Sequence, residues 1–592
     1  MASGCREPRS GAAAERTVSP PAIADNVTFA SYAGSAACTP CHADVIAAWE
    51  HSPMHEMTRN ARGAVVRAPF ADATWMFKGD RVVFEEHDGE RWVTIHRPGG
   101  EPDTYRITRI IGGRTREDFV GTTDGDTEER VVPVSYVFAT ASFRYKGYSV
   151  MAHERDDLRP GPVWRKTCIF CHNTVPEIDR LLGAIAPVRY QSEQVDRWLS
   201  DERRMRVRVV DDGTFDSVVA SEAARLGTPF HPPDGGARAV AKAGIDAVRS
   251  AFDGPSLVEV GIGCEACHGG AAAHARDPRV KPALLAQASW LRVDLPKPTR
   301  AEEINRLCAR CHQVVFSRYP FTWEGGTRNG LAGGSHINSG EGRDFLLGGC
   351  STALACTDCH DPHSGGTRTA PHDVDGNRNV NANANANATC TRCHAEFADR
   401  GRLAAHSHHD PGGAGGSCIA CHMPRKNMGL DGVLTRYHRI GSPTDAARVL
   451  GDRPLECALC HSDKTVGALL DAMQAWWPVR YPTQRLVDLY GSLDANVIRA
   501  TLDRGKPHEQ AVAIATLGEA HAKDAVPQIA AQLLNEYPLV RQWALRALVA
   551  IRGHCEVDLS AADEMIARQA QTCGAGVVGP PQGARIEEEP ED

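Results

Sequence analysis

A five-residue pattern, CxxCH, occurs eight times along these 592 residues and leaves few ways for the chain to fold. The copies are Cys38, Cys41 and His42; Cys168, Cys171 and His172; Cys264, Cys267 and His268; and Cys308, Cys311 and His312. Then follow Cys356, Cys359 and His360; Cys390, Cys393 and His394; Cys418, Cys421 and His422; and Cys457, Cys460 and His461. With 20 Cys and 25 His in the chain, random placement would give about 0.03 such patterns, so the repeat is built in. Two thiols three residues apart project to one side of a helical turn, where each can form a thioether to a haem vinyl group. The next residue brings an imidazole to the iron. Paired CxxC units also make zinc tetrathiolates, but zinc asks for no histidine directly after every second cysteine. The pattern therefore predicts eight covalently bound haems of c type.

That prediction sets the fold class. Aromatic residues are only 6% of the chain while Gly and Pro number 55 and 36, so porphyrin must replace side chains as buried material. The expected architecture is mainly α with extensive loops around stacked haems, a small antiparallel β insertion between haems 1 and 2, and a C-terminal α-helical repeat segment. The formal charge of −8 is made more negative by haem propionates, which argues against nucleic acid as a partner.

Taken in order, residues 1–34 read as a flexible leader. Thioether attachment resembles a process confined to the outside of the cytoplasmic membrane, so the chain is expected to be exported, to the periplasm or the cell surface. No apolar secretory stretch appears at the given start. Ala2-Ser3-Gly4-Cys5 looks like the end of a lipoprotein cleavage box, with Cys5 the lipidated membrane anchor; the alternative is an incidental cysteine in a tail. Residues 35–60 carry haem 1 and two free histidines, of which His55 is favoured over His51 as an axial ligand.

Residues 61–150 change texture. RVVFEEHDGERWVTIHR reads as two strands joined by a turn at His87-Asp88-Gly89-Glu90, and TYRITRII and VVPVSYVF add further strand-like runs. His87 and His96 read as strand-surface residues rather than ligands. Residues 151–465 hold haems 2–8, with His231 a weak candidate ligand. The glycines after His268 suit close approach of backbone to porphyrin, and His274 is placed to reach a neighbouring iron. Other free histidines here are His336, His363, His372, His406, His408, His409 and His438. The stretch NVNANANANA is low-complexity and is assigned no regular structure.

The ordered motifs CEACHGG, CARCH, CTDCHDPH, CTRCH and CIACHMP around a His-rich loop, RYHRI and CALCHSDK resemble the octahaem c-type cytochromes with C-terminal helical repeats, within the wider multihaem superfamily. The resemblance runs from about Ser35 to Ile551. It implies that His55, His274, His363, one or two of His406, His408 and His409, and His438 are distal ligands. It leaves His336 and Cys350 open, because GGCSTALA stands before CTDCH where a ligand for haem 5 is sought.

Residues 466–555 turn helical. Val540, Ala544, Ala547, Leu548 and Ile551 line one face, and Pro527 and Pro538 stand at expected helix starts, a pattern similar to HEAT-type pairs. Such repeats either dock a protein or cap the haem domain. Residues 556–592 read as a tail, disordered at its end, with Cys555 and Cys573 as possible disulfide partners.

Three functions fit. An electron carrier needs two axial ligands per iron and takes electrons from a redox protein donor to an acceptor. A multihaem oxidoreductase acting on a small nitrogen or sulfur compound needs an open iron, and no CxxCK motif marks one. A binding module would use the repeats to assemble a larger conduit.

Overall fold

The computed structural model describes residues 24–574 apart from 150, 152, 187–198, 251–255, 297–298, 314–318, 320–339, 368–380 and 430. Cys5, His336, His372 and the acidic C-terminus lie outside the described residues.

The β insertion is larger than the sequence suggests. Eight strands form one antiparallel sheet: β1 (Thr58–Asn60), β2 (Ala73–Phe77), β3 (Asp80–His87), β4 (Glu90–His96), β5 (Asp103–Ile111), β6 (Arg116–Thr123), β7 (Arg130–Val137) and β8 (Ser142–Tyr145). β2 to β8 follow one another as a meander, and β1 pairs with β5. Asp88 and Gly89 both adopt positive φ at the turn between β3 and β4, which suits the right-handed twist of the hairpin. Val82 and Phe84 then pair with Ile95 and Val93 and are fully buried. Each such side chain contributes about 1.5–3 kcal/mol on burial. His87 is exposed beside Glu85, and His96 ends β4.

The buried face of this sheet shares one continuous apolar core with the C-terminal helices. Those helices are Val466–Trp476, Thr483–Tyr490, Val497–Arg504, Pro507–Glu519, Val526–Ala531, Pro538–Arg552 and Asp563–Gly574. Their starts are chemically marked: the side chains of Thr465 and Asn496 accept from Ala468 N and Arg499 N, and Pro538 opens its helix. Such caps are worth about 1 kcal/mol each. Val540, Ala544, Ala547, Leu548 and Ile551 are all buried. The helix Asp563–Gly574 lies in the stretch read as a tail, and Cys573 on it is disulfide-bonded to Cys555.

A second core forms around the motif 2 segment and the helices Glu177–Ile185, Asp212–Arg225 and Ala237–Ser250. The low-complexity stretch is also ordered differently from expectation, because Asn381–Thr391 is a helix running into the sixth motif. Alanine has the highest helix propensity of any residue. Tertiary bonds hold its end, where the Asn387 side chain donates to Gly416 O (2.9 Å) and accepts from Cys418 N (2.8 Å). Among the described residues no helix is long and apolar enough to cross a membrane.

Candidate functional site

The CxxCH motifs share a local form. In six of them the histidine N–H donates to the carbonyl of the first cysteine: His42, His172, His268, His312, His394 and His461 at 3.0–3.2 Å. The seventh lies in the helix Cys418–His422. One turn therefore presents both sulfurs and the imidazole together, as thioether attachment requires. The fifth departs, since a short turn at Cys356–Asp358 gives way to a strand pair beginning at His360.

Five motif histidines each face a second imidazole. Ring centres are 6.2 Å apart for His42 and His274, 6.4 Å for His268 and His363, and 6.2 Å for His360 and His438. They are 6.1 Å apart for His422 and His406, and 5.9 Å for His461 and His409. Two imidazoles on opposite sides of one iron would sit roughly 6 Å apart, because a metal–nitrogen bond is about 2 Å and the nitrogen lies about 1 Å from its ring centre. The residues thus fit the group that the motifs imply.

The hydrogen bonds of the second imidazoles point the same way. Nδ1 of His274 lies 2.8 Å from Val280 O, that of His438 2.9 Å from Arg436 O, and that of His409 2.6 Å from Ser407 O. Anchoring Nδ1 on a carbonyl fixes the tautomer and leaves Nε2 as the free donor atom. His422 is held likewise by Gly441 O at 3.0 Å.

Other candidates lie elsewhere. The ring facing His42 is His274; His55 packs edge-on against Trp49 with ring centres 4.3 Å apart, its Nδ1 3.1 Å from Glu50 O. His51 and His231 are exposed or half-exposed without a facing motif histidine among the described residues. His408 stacks on Trp476 at 4.6 Å. Cys350 is within electrostatic reach of Cys393 and Cys390, in the sixth motif. The ring that faces His360 is His438, far downstream, where the sequence directs attention to the stretch before the motif. The glycines after His268 serve the protein itself: a Cβ on Gly270 would meet Ser31 and Asn26 O at 2.8–2.9 Å.

Two motif histidines have charged surroundings instead. His312 Nδ1 lies 3.6 Å from the Glu341 carboxylate, which raises its pKa to about 9. His172 is pushed down to about 4 by burial and by the nearby Lys146 ammonium, and its buried Nδ1 has no hydrogen-bond partner among the described residues. Lys146 and Arg116 both pair with Asp118, which also accepts from Ser135 Oγ. Among the described residues no second imidazole faces His172, His312 or His394.

The cysteines reveal how the motifs adjoin. The thiols of Cys38 and Cys264, of Cys171 and Cys311, of Cys308 and Cys356, and of Cys390 and Cys418 lie close enough to shift one another's titration. Electrostatic reach joins Cys267 to Cys308 and Cys311, Cys359 to Cys390, and Cys421 to Cys457 and Cys460. The motifs therefore run 1–3–4–5–6–7–8 in space, with motif 2 branching from motif 4.

Repeated CxxCH sites near one another, five with facing imidazoles, are the attachment chemistry of a multihaem cytochrome of c type. Residues 351–399, which hold the fifth and sixth motifs, match the doubled CXXCH motif family. Among solved structures the chain is similar to the outer cell wall cytochrome OcwA, at 13% identity and a TM-score of 0.35, over 88% of this chain and 100% of that one. No curated protein matches it.

Proposed function

We propose that the chain binds eight haems and conducts electrons along the motif order 1–3–4–5–6–7–8, with motif 2 as a side branch. Haem, when attached, supplies an iron that gains and loses one electron. The protein's part is to fix the spacing of the sites and to hold two imidazoles on most of the irons. The observation that carries this reading is the set of five histidine pairs with ring centres 5.9–6.4 Å apart. His274, His363, His438, His406 and His409 are the distal ligands in it, for haems 1, 3, 5, 7 and 8. Two strong nitrogen donors per iron leave no open position, which suits transfer rather than turnover. Donor and acceptor are redox proteins. The Cys555–Cys573 disulfide agrees with an oxidising compartment outside the cytoplasm, at the periplasm or cell surface. The mass of the denatured holoprotein tests the count: eight haem additions are expected, and seven after Cys264 and Cys267 are replaced by Ala. Electron paramagnetic resonance tests the ligation, with low-spin iron expected at the five paired sites.

A second reading is favoured at motif 2. Lys146, not a histidine, is the basic group that acts on His172, and its ammonium, paired with Asp118, can serve there as a proton donor. That site is where the chain would act on a small nitrogen or sulfur compound. Cyanide titration and turnover of nitrite or hydroxylamine distinguish the readings: activity lost in Lys146→Met supports catalysis at motif 2, and absence of turnover in the parent protein removes it.

A further inference from the structure

We infer that Glu265, the residue after the first cysteine of motif 3, is a positioning residue for both axial imidazoles of haem 1. The inference rests on the reading of His42 and His274 as the ligands of that haem. Glu265 is buried, at 2% exposure, and has no ion pair among the described residues. Its charge is met by backbone amides. Oε1 accepts from Ala33 N (2.9 Å) and Ala271 N (2.7 Å), and Oε2 accepts from Gly34 N (2.7 Å) and Ala33 N (3.1 Å). A buried carboxylate keeps its charge only with such donors, so the three amides must stay where they are.

Those amides stand at two informative places. Ala33 and Gly34 lead directly into the turn Ser35–Cys38, which begins motif 1 and so sets the path to His42. Ala271 precedes the short helix Ala272–Arg276, which carries His274. One carboxylate thereby ties together the approach to His42 and the start of the helix bearing the facing ring. A neighbouring set of bonds closes the same junction: Ser35 Oγ donates to Glu259 (2.6 Å) and accepts from Cys264 N (3.0 Å), and Trp49 Nε1 donates to Ile262 O (2.9 Å). Removing Glu265 leaves the amides of Ala33, Gly34 and Ala271 without their acceptor and frees the two segments to move apart. A gap set to hold one iron between two rings does not survive a shift of about 1 Å.

The test compares Glu265→Ala, Glu265→Gln and His274→Ala holoproteins, with haem content read by mass and open iron read by carbon monoxide uptake of the reduced protein and by high-spin resonance. Glu265→Ala is expected to keep all its haems yet gain about one equivalent of carbon monoxide binding, as His274→Ala does. Glu265→Gln, which keeps one carbonyl acceptor, is expected to show a partial signal, and it serves as the test should Glu265→Ala not accumulate. An opened iron in His274→Ala with none in either Glu265 variant overturns the inference and leaves the ligand reading standing. No opened iron in His274→Ala overturns both.

Discussion

The imidazoles of His406 and His422 lie within 4° of parallel with their centres 6.1 Å apart, although they sit on separate short helices, Arg400–Ser407 and Cys418–His422. His422 is braced by Gly441 O, and His406 also packs against Phe397 at 4.6 Å. Replacing His406 by Ala is expected to open one iron, giving about one equivalent of carbon monoxide uptake by the reduced protein. His406→Met should keep that iron six-coordinate and raise its potential, since thioether ligation favours the reduced state. Potentiometric titration of both variants against the parent checks the pair.

His438 and Cys350 give opposite predictions for haem 5. With ring centres of His360 and His438 6.2 Å apart, His438→Ala should convert one haem to high spin. Cys350→Ser should leave haem 5 low-spin, because Cys350 lies within electrostatic reach of the sixth motif. The same high-spin species in Cys350→Ser as in His438→Ala, read by electron paramagnetic resonance, would refute the assignment.

Asp118 predicts a pH dependence. Burial alone would raise its pKa, but Arg116 and Lys146 outweigh burial and hold the carboxyl well below the usual range. A carboxyl with a folded value below its unfolded one stabilises fully above the unfolded value, near 3.8, and loses that contribution as the pH falls through the folded value. Asp118→Asn should therefore cost about 3 kcal/mol at neutral pH, as breaking a buried pair does. The difference from the parent should shrink below about pH 4. Urea denaturation followed by circular dichroism across that range measures it.

The Cys555–Cys573 bond closes a loop of sequence separation 18 and pins the last described helix, Asp563–Gly574, to the end of Pro538–Arg552. Cys573→Ser is expected to lower stability by about 3 kcal/mol and to expose the last helix to limited proteolysis, with the haem spectrum unchanged.

The five-residue motif was fully legible, because everything it requires lies within one helical turn: two sulfurs, one imidazole and a hydrogen bond from His N–H to Cys C=O. The Asp88-Gly89 hairpin was legible for the same reason, as positive φ at adjacent residues is a local demand. The pairing of rings was not. His55, close to motif 1 in sequence, packs on Trp49, while the ring that faces His42 is His274, on a helix tied by Glu265 to the chain before Cys38. The NANANA stretch is a helix whose end is held where Asn387 bonds to Gly416 and Cys418. Sequence alone determined where two thiols and an imidazole stand together, since that arrangement is short-range along the chain. Tertiary structure decided which histidine faces which and in what order the motifs adjoin, because the facing rings are brought together through space, by packing between segments that share no local pattern.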